Sequence, residues 1–420
     1  MSSSSAASPA AERSGPLAGL RVVDMTTSYA GPTAAMYLAD LGADVVKVER
    51  PGTGDDARTW GPPFVAGESA WFASANRNKR SLALDISSPA GHAVLDRLLA
   101  SADVFIQNVL PSKLERLGIA PDAVSERHPH LIYCAMSGFG IDGPARDQPG
   151  YDLAAQARSG LMSVTGAKGG SPQRVSTALS DIVTGMCAAL AISASVVRQR
   201  AEGVGEVIDV SLLDSDLALM APRIAAFLAG DPEPAPSGGT DSVLAVYQTF
   251  ATADRDIVVA IGNDSMWQRF CTAVGLAELA AEPELATNDG RRRARPRITA
   301  RIAEVLATRP AHEWIQTLAP AGVPSSLVQG LAEVAVDPQV VARGNVLPVP
   351  GIAGLHSVRS PFRLRSIPDP RNERFPDLGA HTVDVLEELD LSADEIRALI
   401  DDGTVGAASA HLTGGAAHGR

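Results

Sequence analysis

One carboxylate has a setting suited to chemistry. Asp181 lies in Thr177-Ala-Leu-Ser-Asp181-Ile-Val-Thr-Gly-Met186, ahead of an apolar stretch that carries no charge until Arg198. This places Asp181 at the first residue of a buried helix, positioned but with no partner close in sequence. As an N-cap, Asp accepts hydrogen bonds from the free N–H groups of the first turn and suits the positive end of the helix dipole. As a nucleophile, the same group attacks an acyl carbon while those N–H groups stabilise the developing charge. The local residues leave both roles open.

Cations are available as well. Arg50, Arg58, Arg77, Lys79, Arg80 and Arg116 fall near the expected ends of strands or in the following turns, where open α/β sheets bind ligands. Together they could hold a phosphorylated group. Glu49, at the end of a second strand, invites a dinucleotide reading, but Thr26-Thr-Ser-Tyr-Ala-Gly-Pro32 has a single Gly where GxGxxG needs three. No Walker loop, HExxH or GxSxG motif occurs. Cys134, Cys187 and Cys271 are widely spaced, which predicts buried structural thiols, a reducing cytoplasm and no metal pair. The run Arg291-Arg-Arg-Ala-Arg295 reads as a solvated helix face.

The elements that would position these groups follow from periodicity. Leu20–Met25 and Asp44–Glu49 read as strands around a helix from Pro32 to Leu41, a βαβ unit. Strands at Ser81–Asp85, Asp103–Asn108 and Leu131–Ala135 alternate with helices, the pattern of a Rossmann-like doubly wound sheet. Ile182 to Val197 falls short of the roughly 18–20 residues that span a bilayer, so it reads as a buried core helix. Gly203–Ser211 reads as a turn and strand, with a helix through Leu228.

At 420 residues two domains are expected. The boundaries are a disordered leader (1–15), a large Rossmann-like domain (16–228), a Pro/Gly-rich linker or mobile loop (229–245), a small α+β domain (246–325), a return segment completing the large domain (326–402) and a disordered tail (403–420). Hydrophobic residues make up 45% and charged residues 20%, as in a soluble globular protein. A net charge of −12 speaks against nucleic acid or an anionic membrane as partner.

Several separated blocks then fall together: Pro16-Leu-Ala-Gly-Leu-Arg-Val-Val-Asp24, Leu41-Gly-Ala-Asp-Val-Val-Lys-Val-Glu-Arg50, Asn78-Lys-Arg-Ser-Leu-Ala-Leu-Asp85, Gly150-Tyr-Asp152, the Asp181 segment, Val210-Ser-Leu-Leu-Asp214 and Ala321-Gly-Val-Pro324. On these blocks the chain resembles the class III CoA-transferases, the family of formyl-CoA transferase and carnitine CoA-transferase, related to alpha-methylacyl-CoA racemase. The resemblance runs from about Pro16 to Val405.

The resemblance implies a large Rossmann-like domain, a small domain and an interlocked, ring-shaped homodimer. It implies transfer of CoA from an acyl-CoA to a small carboxylic acid through an aspartyl-CoA thioester at Asp181, with coenzyme A as substrate and no permanently bound cofactor. Tyr151 stands where the racemase relatives have a histidine, and a phenol is a poor base near neutral pH, so transferase is favoured over racemase or epimerase. A CoA-binding protein without activity is the remaining alternative. Asp152 matches an acidic active-site position, with a turn or capping role equally open. CoA binding is implied for Thr27, Tyr29, Ala30, Arg50, Leu84, Asn108 and Arg116, and Trp60 and Trp71 match aromatic active-site positions. Ser87 and Tyr29 depart from formyl-CoA transferase, which has lysine and glutamine there, and its glycine-rich lid is reduced to Gly238-Gly239.

Overall fold

The structure, a computed structural model, describes residues 14–365, 367 and 371–407. The expected leader up to residue 13 and the expected tail from residue 408 lie outside the described residues.

The chain begins with β1 (Arg21–Met25), α1 (Ala30–Asp40) and β2 (Asp44–Glu49), then the short hairpin β3 (Phe64–Val65) and β4 (Glu68–Ser69), α2 (Ala70–Asn76) and β5 (Arg80–Leu84). It continues through α3 (Pro89–Ala100), β6 (Val104–Gln107), α4 (Pro111–Leu117), α5 (Pro121–Arg127), β7 (Ile132–Ser137) and α6 (Asp152–Arg158). After α7 (Leu161–Val164) come α8 (Leu179–Glu202), β8 (Glu206–Ser211) and α9 (Leu212–Leu228). The result is a mixed α/β fold built on a large, mainly parallel sheet.

Seven strands form that sheet in the order Val405–Gly406, β5, β2, β1, β6, β7, β8. Six are parallel, and Val405–Gly406 runs antiparallel along β5. The described start of the expected tail is therefore an ordered strand, because Val405 is buried opposite Leu84. Strand order reverses between β1 and β6, the crevice where doubly wound sheets bind ligands.

Both faces of the sheet are covered, so its strands are apolar at successive positions rather than alternate ones. Val22, Val45, Val104 and Ile132 pack with α1 and α8, while Val23, Val46, Phe105 and Tyr133 pack with α3 and α5. Each such fully buried side chain contributes about 1.5–3 kcal/mol.

The helix expected from Ile182 to Val197 extends from Leu179 to Glu202 and is long and apolar enough to cross a membrane by length and composition alone. One face of it, with Ala188, Ala189, Ile192 and Val196, packs against α1 in the core. The close approach requires Gly185, where a Cβ would lie 2.8 Å from the Ala30 carbonyl oxygen. The opposite face is not buried: Leu190 is 73% and Val197 71% exposed. Cys134 is buried, its thiol pushed up to about 12 by burial, whereas Cys187 is only half-buried.

Contacts divide the chain into two compact units, one drawn from Met1–Ser159, Val175–Ile224 and Arg343–Arg420, the other from Gly160–Arg174 and Ala225–Ala342. In the second, β9 (Tyr247–Ala251) and β10 (Asp256–Ala260) form a hairpin, extended by Ser325–Leu327. Helices carrying Trp267, Phe270, Ile298, Ile302 and Trp314 close its core. Arg291 departs from the solvated reading of its basic run, being 1% exposed and donating to the Leu285 and Ala286 carbonyls and to Asp264, while Arg292 and Arg293 are exposed as expected.

Candidate active site

Asp181 is the third residue of α8, not its cap. The N-cap is Ala178, which offers no side-chain bond, and the capping carboxylate comes from another helix. Asp152, the first residue of α6, accepts the Ser180 N–H at 2.9 Å through Oδ2 and the Gln156 side-chain amide at 2.6 Å through Oδ1. The Ile182 N–H is taken by the Ala178 carbonyl. The first turn of α8 therefore has fewer N–H groups to offer a reaction intermediate than its sequence suggests.

The carboxylate of Asp181 faces a cleft with about 880 Å³ of open space, lined also by Thr27, Ser28, Ala30, Asn108 and Tyr151. Burial, followed by the like charges of Asp152 and Asp216, pushes its pKa up to about 7 from the ordinary 3.8. Between those values the folded state binds more protons than the unfolded chain, so stability falls as pH rises from about 4 to about 7. Asp181→Asn is accordingly expected to raise Tm at pH 8, recovering up to about 4 kcal/mol, and to match the wild type near pH 4. Calorimetric melting that shows no gain at pH 8 would contradict the burial of this charge.

A second cleft, with about 1760 Å³ of open space, lies at the C-terminal ends of β1, β2, β5 and β6. It is lined by Arg50, Leu84, Ser87 and Lys113, and it shares Thr27, Asn108, Val109 and Leu110 with the first. Thr27 and Asn108 flank the point of strand-order reversal and clasp each other. The Thr27 N–H donates to Asn108 Oδ1 at 3.0 Å, and Asn108 Nδ2 donates to the Thr27 carbonyl at 2.9 Å.

Of the other residues singled out in the sequence, Ala30 opens α1 at the first cleft and Tyr151, 62% exposed, forms part of its wall. Asp152 is buried and serves α8 instead. Tyr29 lines neither cleft: its hydroxyl meets Ser74 Oγ at 2.9 Å and its ring packs edge-on to Trp71, which in turn packs against Trp60. Arg116 is exposed on α4 and lines neither cleft, whereas Lys113 on the same helix lines the second. Gly238, at φ 68°, donates its N–H to the Gly166 carbonyl within the second unit.

Most of the expected ligand cations prove to be structural. Arg58 forks onto Glu49 at 2.8 Å through both Nε and Nη2, Arg77 onto Asp40, and Arg80 onto Asp44 and Glu388. Lys79 is wholly buried 2.9 Å from Asp24, and Lys47 is buried 2.9 Å from Asp55. Burial pushes Lys79 down to about 8 against the pull of Asp24. Asp55 Oδ1 also accepts the Ser28 N–H at 3.0 Å, tying the β1–α1 turn, with Ser28 at φ 72°, to the loop after β2. Sequence reading missed Lys47, Asp55, Ser180 and Asp216, since each works through a partner distant in the chain.

Residues 17–382 match the family model described as CoA-transferase family III. The chain is 37% identical over 384 residues to the human succinyl-CoA:glutarate CoA-transferase, covering 89% of this chain and 86% of that protein. It is 35% identical over 390 residues to the succinate–glutarate CoA-transferase of Agrobacterium fabrum, covering 90% and 96%. Among solved structures it is similar to a CAIB/BAIF family protein from Brucella suis, with a TM-score of 0.78 and 35% identity over 90% of this chain and 100% of that one.

Proposed function

Because the chain belongs to CoA-transferase family III, we propose that this enzyme moves CoA from an acyl-CoA to a small carboxylic acid, with Asp181 as the covalent carrier. The observation that carries the reading is Asp181 itself, a lone carboxylate facing a cleft that adjoins a larger one at the strand-order reversal. Succinate, glutarate and mesaconate, the acids in the names of similar proteins, each hold two carboxylates, which supports a small dicarboxylic acid as acceptor.

CoA occupies the second cleft in this reading. Arg50 and Lys113 meet its phosphates, Leu84 packs against it, and the chain to the thioester passes Thr27, Asn108 and Ala30. Ionised Asp181 attacks the donor acyl carbon and expels CoA thiolate, leaving a mixed anhydride. The thiolate attacks the Asp181 side-chain carbonyl, freeing the donor acid and forming aspartyl-CoA. The acceptor carboxylate attacks that thioester carbonyl and expels thiolate, giving a second anhydride. Thiolate attack on the acceptor acyl carbon releases the new acyl-CoA and the Asp181 carboxylate. A carboxylate carrier keeps every intermediate at acyl potential, so no ATP is required. The start of α1, whose N-cap Tyr29 makes no side-chain capping bond, supplies N–H donors for the oxyanions.

The exposed stripe of Met186, Leu190 and Val197 on α8 supports assembly as an interlocked homodimer. Protein incubated with succinyl-CoA, quenched and digested is expected to show a CoA adduct on the Asp181 peptide by mass spectrometry. An adduct elsewhere, or exchange without any adduct, would remove Asp181 as carrier.

A further inference from the structure

Asp216 lies on α9 and is wholly buried. Its Oδ2 accepts the Ser180 hydroxyl at 2.8 Å and the Ser159 hydroxyl at 3.4 Å. Among the described residues its Oδ1 has no hydrogen-bond partner, and no ion pair reaches Asp216, Asp152 or Asp181. A buried carboxylate left in this state costs stability. If its purpose were only to clamp Ser180, a neutral Asn would accept the same hydroxyl bonds. What Asp adds over Asn is charge.

That charge sits beside the nucleophile. Ser180 precedes Asp181 and is gripped from two sides, its N–H by Asp152 and its hydroxyl by Asp216. The ionisable groups that face Asp181 are Asp152 from α6, Asp216 from α9 and the Tyr29 phenol ahead of α1, all acidic. Arg146 lines the same cleft but is paired with Glu115 at 2.6 Å and Asp147 at 3.4 Å.

We propose that Asp216 is a positioning residue for the nucleophile: it fixes the first turn of α8 through Ser180 and keeps an uncompensated negative charge behind Asp181, making Asp181 the stronger nucleophile. The proposal rests on Asp181 being the acyl carrier. Nucleophilicity rises with basicity, by about threefold per pKa unit at the slope known for thiolates. Each carboxylate accepts two hydrogen bonds, Asp152 from the Ser180 N–H and the Gln156 amide and Asp216 from the Ser180 and Ser159 hydroxyls, and Asp216 keeps Oδ1 with none.

Full-length Asp216→Asn, Asp216→Glu and Ser180→Ala are compared with the wild type in two measurements. One is succinyl-CoA to glutarate exchange against pH, and the other is the pH dependence of Asp181 modification by a water-soluble carbodiimide, read by peptide mass spectrometry. Asp216→Asn is expected to move both midpoints to lower pH by about one unit. Its plateau kcat falls about threefold with KM for succinyl-CoA unchanged, and Asp216→Glu restores the midpoint. Ser180→Ala keeps the charge and cuts the grip, so kcat falls at every pH while the carbodiimide midpoint stays in place. An unmoved midpoint in Asp216→Asn overturns the proposal even if its activity is lower, because a purely structural residue would give that result. If Asp216→Asn does not fold, Asp216→Ser is read in the same way. A wild type that exchanges no CoA sinks the transferase reading instead, and the carbodiimide midpoints still decide the role of the Asp216 charge.

Discussion

Asp181→Ala in the full-length protein is expected to slow CoA exchange by about 10⁴-fold or more, the scale on which loss of a covalent nucleophile acts. The folded state should survive. The cap of α8 is supplied by Asp152, and among the described residues no hydrogen bond from the Asp181 side chain holds the helix start. Removing a carboxyl that burial has pushed up to about 7 also relieves a cost at neutral pH. The informative pairing is therefore a dead enzyme with an unchanged or raised Tm, measured by exchange assay and calorimetry on one preparation. Undiminished transfer would place the carrier elsewhere. Loss of transfer together with loss of the fold would show that Asp181 is a structural residue.

Lys79→Met should be strongly damaging to stability. The Lys79 ammonium donates to Asp24 at 2.9 Å, to the Pro32 carbonyl at 2.8 Å and to Asn76 Oδ1 at 2.8 Å, and it is wholly buried. Breaking one side of a buried pair leaves an uncompensated charge and costs about 3–5 kcal/mol. Here the stranded group is Asp24, which also receives the Thr26 N–H at 3.0 Å and so holds the turn that carries Thr27. Urea denaturation should show the loss, and Lys79→Met combined with Asp24→Leu should recover a large part of it, since a pair replaced by apolar side chains no longer strands a charge. A single-variant loss below about 1 kcal/mol would mean that water or Lys47 takes over the pairing.

How much of this was legible depends on how local each cause is. The β1–α1–β2 unit, the strands at β5, β6 and β7 and the β9–β10 hairpin could be read because their signal is a short run rich in apolar residues, complete within a few positions. The start of α8 was misplaced by two residues because the group that caps it, Asp152, is 28 residues away in the chain. The cations misled for the same reason. Arg77 and Arg80 look free in sequence, and only folding brings Asp40, Asp44 and Glu388 to them. Lys113, one turn earlier on the same short helix, lines the second cleft in place of the expected Arg116, a difference of one turn that local spacing does not resolve. Asp216 carries no local signal at all, since its importance lies in a neighbour, Ser180, supplied by another helix.

The strand Val405–Gly406 bears on how the protein resists self-association. Without it the end of β5 would lose its outer strand, leaving that margin of the sheet covered only by His381 and Thr382 beside Ser81 and Ala83. The late segment seals that margin with few residues. Val405 is buried against the sheet, the Thr404 carbonyl accepts the Asp85 N–H at 2.8 Å, and the Thr382 hydroxyl donates to the Gly406 carbonyl at 2.7 Å. A polypeptide trimmed ahead of Thr404 would keep the residues that line both clefts and lose Val405 from one core, and it would carry a sticky border built for adding strands, so that its weakness would appear as aggregation before it appeared as lost catalysis.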